Sequence, residues 1–171
     1  MIRRFAVTGF GIIHGLFGDP DTPPGETVEL LSMDGTPRLG TVFTPYDPLR
    51  HKETYKVFTH LYDFRGENPL TKGVGGYDTH QRGLCIGWRA TRLRRATLDT
   101  WHMKNCSQRA RAGTLQCFSS PSGHPAHSVT VDWCDGEGLT FIRESRRLTL
   151  LPDIDSVRLF EFESTLVSLE D

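Results

Sequence analysis

From Val28 onward the chain alternates apolar and polar residues in short runs, and turn residues separate the runs. Val28–Ser32 leads into Met33-Asp34-Gly35, a hairpin signal, and Leu39–Phe43 is broken by Tyr46-Asp47-Pro48. Glu53–Tyr62 places Tyr55, Val57, Thr59 and Leu61 on one face and Lys56, Phe58, His60 and Tyr62 on the other. That period of two predicts a strand. Leu84–Trp88 predicts another, with Gly83 and Gly87 allowing a bulge or a close backbone approach. His127–Trp133 alternates again, and Asp135-Gly136-Glu137-Gly138 turns the chain into Leu139–Glu144, then Arg146–Leu151, then Ser156–Leu169. No stretch carries an apolar stripe of helical period. Strands recurring about every 8–12 residues with turns between them predict an all-β protein, an antiparallel β-sandwich.

The 171 residues suit one domain with a full core. Residues 19–26, DPDTPPGE, read as a connector, so the expected division is an arm over 1–26 and one sandwich domain over 27–171. A degraded leader is the alternative, since a basic start precedes a weakly apolar run, but His14 and the glycines dilute that run and favour the arm. The chain stops at Asp171 directly after a strong strand, which is the outline of a domain incomplete at its C-terminus. An exposed edge there would invite dimerisation or aggregation, so an oligomer through it is allowed.

The net charge of −1 gives no pull toward nucleic acid or an anionic membrane. The one basic run, Arg89, Arg92, Arg94 and Arg95, lacks interleaved aromatics and reads as a solvated loop. No segment has the length of a transmembrane helix, so neither nucleic acid nor membrane is an expected partner. Cys85, Cys106, Cys117 and Cys134 are spread without a C-x-x-C, so free thiols are expected rather than a disulfide framework or zinc ribbon. His102 and Cys106 make half of a metal pair, with no second pair at ligand spacing. No metal or other cofactor is expected.

The candidate chemistry gathers in Lys72–Trp88, KGVGGYDTHQRGLCIGW, and in Asp99–His102, DTWH. Gly73, Gly75 and Gly76 are followed by a predicted strand and not a helix, so the phosphate cradle of a nucleotide loop is missing. His80 and His102 are candidate acid–base groups and Asp99 a candidate base or orienting carboxylate. Arg82 and Gln81 are candidate ligand-binding groups, and Trp101 a platform on which the C–H face of a sugar ring could stack. His60 could reach the same mouth. Each has a plainer reading: an arginine bracing a turn, a core tryptophan, an Asp before a strand, a histidine with one hydrogen bond. His124 and His127, beside the SPSGHP loop, read as solvated.

The segments ETYKVFTHLYDFRGENPLTKGVGGYDTHQRGLCIGW, DTWHMKNCSQR, HSVTVDWCDGEG and FIRESRRL resemble a bacterial family labelled PmoA-like, or methane oxygenase PmoA, common in Planctomycetes. The resemblance runs from about Glu26 to the C-terminus. It implies a β-sandwich similar to part of the galactose-mutarotase supersandwich, often in exported proteins, and it implies a family domain that continues past Asp171. Where such proteins carry His-His-Arg-Gly, this chain has His80-Gln81-Arg82-Gly83, and Gln81 can hydrogen-bond but not titrate.

Three functions follow as expectations. The first is a carbohydrate-related sandwich that binds or isomerises a sugar, with His80 or His102 as acid, Asp99 as base, and Arg82 and Trp101 as positioners. The second is a non-catalytic binding module. The third, ranked last on chemistry, is the metal-dependent oxygenase of the family label.

Overall fold

The computed structural model describes residues 28–93 and 96–169; the expected arm over 1–26 lies outside the described residues, as do Arg94 and Arg95. Two antiparallel sheets face one another. The first has the order β1 (Val28–Met33), β2 (Thr36–Val42), β3 (Phe58–Leu61). The second runs β10 (Val157–Ser168), β9 (Thr140–Ile154), β8 (Pro125–Asp135), β6 (Cys106–Ala110), and β7 (Gln116–Ser119) pairs β8 beyond the end of β6. A two-residue pair, β4 (Thr91–Arg92) with β5 (Thr97–Leu98), stands apart. The all-β sandwich expected from the alternation is the fold.

The register sets the inner face of the second sheet. On β8, Val129, Val131 and Trp133 lie opposite Arg146, Glu144 and Ile142 of β9, and β10 continues the row with Phe160, Phe162 and Ser164 opposite Leu150, Leu148 and Arg146. Leu31 and Leu39 of the first sheet close on Leu148 and Leu150, while Tyr55, Val57 and Met103 close on Val129, Val131, Trp133 and Phe141. Burying these side chains supplies about 1.5–3 kcal/mol apiece.

A charged group crosses between the sheets. Arg146 is fully buried and donates from Nε to Glu144 Oε1 at 2.7 Å, from Nη2 to Glu144 Oε2 at 3.0 Å, and from Nη1 to the Val57 carbonyl at 2.9 Å. Trp133 Nε1 and Ser164 Oγ donate to the same carboxylate at 2.9 Å each. Nearby, His127 Nε2 meets Thr41 Oγ1 at 2.8 Å, and burial first, then Arg146, pushes the imidazole down to about 4. His127 is therefore a neutral core residue at 0% exposure, not the solvated histidine expected beside its loop.

Three elements differ from the alternation. Glu53–Tyr62 is not one strand: Asp47 caps a 3-10 turn (Pro48–Arg50) that runs into a short helix, α1 (His51–Thr54), and only Phe58–Leu61 pairs in a sheet. Thr54 through His60 are all buried, so two-sided burial and not a solvent face governs that segment. Leu84–Trp88 is not a strand but a loop touching β3 through the single bridge Thr59↔Leu84. The two strands expected around Ser145 are one continuous β9.

Candidate functional site

The site is made by loops that two glycines let approach the frame. A Cβ on Gly83 would stand 2.3 Å from the Thr59 carbonyl oxygen, and one on Gly87 2.3 Å from that of Thr100. Both distances are far inside contact, so residues 83–88 can lie against β3 and the 99–102 turn only with glycine at these positions. Trp101 N donates to Trp88 O, and buried Thr100 bonds both the amide and the carbonyl of Trp88.

Within that turn, Asp99 does two things at once. Its Oδ1 accepts the His102 amide at 2.9 Å, and its Oδ2 lies 2.7 Å from His102 Nδ1. Burial raises the energy of the Asp99 charge, but the backbone and ring bonds from His102 outweigh it and the carboxyl sits below its ordinary range. The imidazole is oriented with Nδ1 toward the carboxylate, which leaves Nε2 as its second nitrogen.

His80 stands beside it, ring centroids 4.4 Å apart, with Trp101 on its other side at 6.1 Å. Desolvation, then the His102 charge, lowers the His80 pKa, which keeps that ring neutral at pH 7. Two imidazoles, one carboxylate-oriented and one neutral, thus share a half-buried rim with an indole face.

Beneath the rim lies Lys56. It is 3% exposed, donates to the carbonyls of His80 at 3.1 Å and Trp101 at 2.9 Å, and sits 5.1 Å from the Trp101 ring centroid. Burial is the main cause of its lowered pKa. One ammonium group therefore ties the 79–82 turn to the 99–102 turn. Tyr55 adds a bond from its hydroxyl to Thr79 Oγ1 at 3.1 Å.

Of the residues singled out in the sequence, His80, Asp99, Trp101 and His102 come together. Arg82 does not join them as a ligand group. It is 3% exposed, its Nε and Nη1 donate to the Thr79 and Glu53 carbonyls at 2.8 and 3.0 Å, and its Nη2 donates to Lys52 O. Its guanidinium also lies 4.4 Å from the Tyr55 ring centroid. Arg82 thus caps the carboxyl end of α1 and fixes the turn that carries His80. Gln81 is exposed on that turn. His60 points elsewhere: its Nδ1 pairs with Thr71 Oγ1 at 3.0 Å, its ring meets Phe58 and Tyr62, and burial lowers its pKa.

Two residues were missed by the alternation. Lys56 read only as a strand position on the face of Phe58, His60 and Tyr62, and nothing in its spacing separates it from any solvated lysine. Trp88, half exposed and 5.7 Å from the Trp133 ring, offers a second indole face next to the Trp101 backbone. Its place directly after Gly87, where a close backbone approach is allowed, was the available signal.

The four cysteines are free thiols. Cys106, half of the notional metal pair, is buried against Asp99 O and Met103 Sδ, and burial, then the Asp99 charge, pushes its pKa up to about 12. Among the described residues no group of three or more His, Cys, Asp or Glu is placed to hold a metal ion, and no helix is long and apolar enough to cross a membrane.

A β-sandwich with an Asp–His–His rim beside indole faces is the class of protein that fold and site define. Residues 30–171 match the model of a family of unknown function, DUF6807, and the chain belongs to that family. No curated protein and no solved structure matches it.

Proposed function

We propose that this is a carbohydrate-related sandwich protein that binds a sugar-like polyol at the His80–Trp101–His102 rim and isomerises it by proton transfer. The observation carrying the proposal is the Asp99 Oδ2 to His102 Nδ1 contact of 2.7 Å with the His80 ring 4.4 Å away. In a mutarotase-type step a base takes the anomeric hydroxyl proton while an acid protonates the ring oxygen. The C1–O5 bond then opens to the aldehyde and recloses on either face, so protons balance without a cofactor. His102, whose Nδ1 is held by Asp99, is the acid through Nε2 in this reading, and the neutral His80 is the base. Asp99, whose two oxygens are engaged by His102, is a positioning residue, as are Lys56 and Arg82. Trp101, with Trp88, supplies the stacking face.

The proposal includes the finer kinship with PmoA-like proteins and the mutarotase-like supersandwich. It is tested by following histidine ring resonances during a monosaccharide titration, with polarimetry of anomer interconversion. Saturable shifts at His80 and His102 with accelerated interconversion are expected. Shifts without acceleration would favour a non-catalytic binding module, and the absence of both would overturn the sugar reading. The oxygenase reading has the neighbouring His80 and His102 imidazoles behind it, and stoichiometric copper or iron on elemental analysis would raise it above the sugar reading.

A further inference from the structure

A cavity of about 310 Å³ lies between the first sheet and the β9–β10 hairpin, and it shares no lining residue with the His80–His102 rim. Its volume sits at the small end of the ~300–1,000 Å³ of small-molecule pockets. Leu39, Leu61, Leu150 and Phe160 wall it, with Leu70 at its edge. Two arginines, Arg38 and Arg158, also line it. Arg158 Nη1 donates to the Tyr62 and Asp63 carbonyls, and its guanidinium lies 4.3 Å from the Phe64 ring centroid.

Among the described residues the rest of that guanidinium meets no acceptor: Arg158 Nε and Nη2, like Arg38 Nε, are buried nitrogens without a hydrogen-bond partner there. Buried donors left in this state cost free energy, so they call for an acceptor. The acids nearby do not supply it. Asp153, the one carboxylate on the lining, lies 3.4 Å from Arg38 Nη2. Asp63 is turned into its own loop, accepting from the Arg65 and Glu67 amides and the Asn68 side chain. The charges of Asp153 and Asp63 both act on Arg158, yet neither carboxylate accepts from the bare N–H groups, which stand beside an apolar chamber with no acceptor among the described residues.

We infer that this cavity is a binding site for a small apolar monocarboxylate, its carboxylate held by the free edges of Arg158 and Arg38 and its hydrocarbon seated against Leu39, Leu61, Leu150 and Phe160. A planar carboxylate matches the guanidinium fork and supplies the missing acceptors, and the chamber removes the tail from water. A neutral molecule of the same shape satisfies only the second requirement.

The test is methyl-resolved NMR of the full chain titrated separately with sodium octanoate and with octan-1-ol. Octanoate is expected to give saturable shifts at the Leu39, Leu61 and Leu150 methyls and to bind about tenfold or more tighter than the alcohol. Arg158→Met should remove that preference while leaving alcohol binding in place. Equal binding of acid and alcohol, or octanoate shifts that never saturate or fall elsewhere, would overturn the site. Because the acid–alcohol comparison uses the unaltered chain, it decides the matter even where the variant does not fold.

Discussion

The Glu144–Arg146 cluster in the core and the Asp99–His102–His80 cluster at the rim differ in what is left over. In the core, both oxygens of Glu144 are taken by Arg146, Trp133 and Ser164, and Arg146 spends its remaining fork on Val57 O. At the rim, Asp99 holds one nitrogen of His102, and a second imidazole stands beside it. Regular register builds the first, since Glu144 and Arg146 share the inner face of β9 with Trp133 and Ser164 on its neighbours. Loops braced by Lys56 and Arg82 build the second. A saturated buried pair fixes the packing of two sheets, whereas a partly satisfied, half-exposed one keeps valences for a ligand.

The contrast is broken most directly at Glu144. Glu144→Leu strands the Arg146 charge and should cost about 3–5 kcal/mol in urea unfolding, whereas Glu144→Leu with Arg146→Met should recover most of the loss. Equal losses in the single and double variants would mean that the pair is not the unit of stability described. His127 gives the next effect. Its folded pKa of about 4 lies below the ordinary 6.5, so its contribution is fully present above pH 6.5 and is lost as pH falls toward 4. The difference amounts to about 3 kcal/mol. Glu144, held low by Arg146 and its hydrogen bonds against the opposing effect of burial, adds a decline in the same direction below the ordinary range of a glutamate. His127→Gln should flatten the upper part of the curve measured by pH-dependent thermal unfolding, and an unchanged slope would assign the decline to other groups.

Arg82→Met, which frees three backbone carbonyls, should cost about 2 kcal/mol and shift the His80 resonances. Arg82→Lys should not restore it, because one ammonium cannot match the planar fork. A fully stable Arg82→Met chain that loses only ligand binding would return the arginine to the ligand. The smallest change in stability belongs to His102→Asn, within about 1 kcal/mol, yet it should lower any anomerase activity by about 10²–10⁴. Retained activity in that variant would remove His102 from the chemistry.

The long strands at the C-terminal end were legible because their alternation meets solvent on one side. β9 was split on paper because Glu144 and Arg146 occupy inward positions that the pattern reserves for apolar residues, and only their mutual pairing makes them core residues. Residues 53–62 misled for the opposite reason. Both faces are buried, so a period of two separates no inside from an outside, and Asp47 capping with Pro48 starts a helical turn instead. At the rim, the sequence singled out His80, Asp99, Trp101 and His102, which do meet. It also singled out Arg82 and His60, whose bonds go to backbone carbonyls and to Thr71.

By itself, then, the sequence determined an antiparallel all-β frame and the two segments that carry the imidazoles, because strand period and turn chemistry are local properties. Only the tertiary structure decided which polar groups were used up and which were left over. Lys56 and Arg82 became braces, Glu144 and Arg146 became core, and Arg38 and Arg158 kept bare donors over an apolar chamber. The reason is that hydrogen-bond satisfaction and desolvation depend on partners far apart in the chain, which no short-range pattern records.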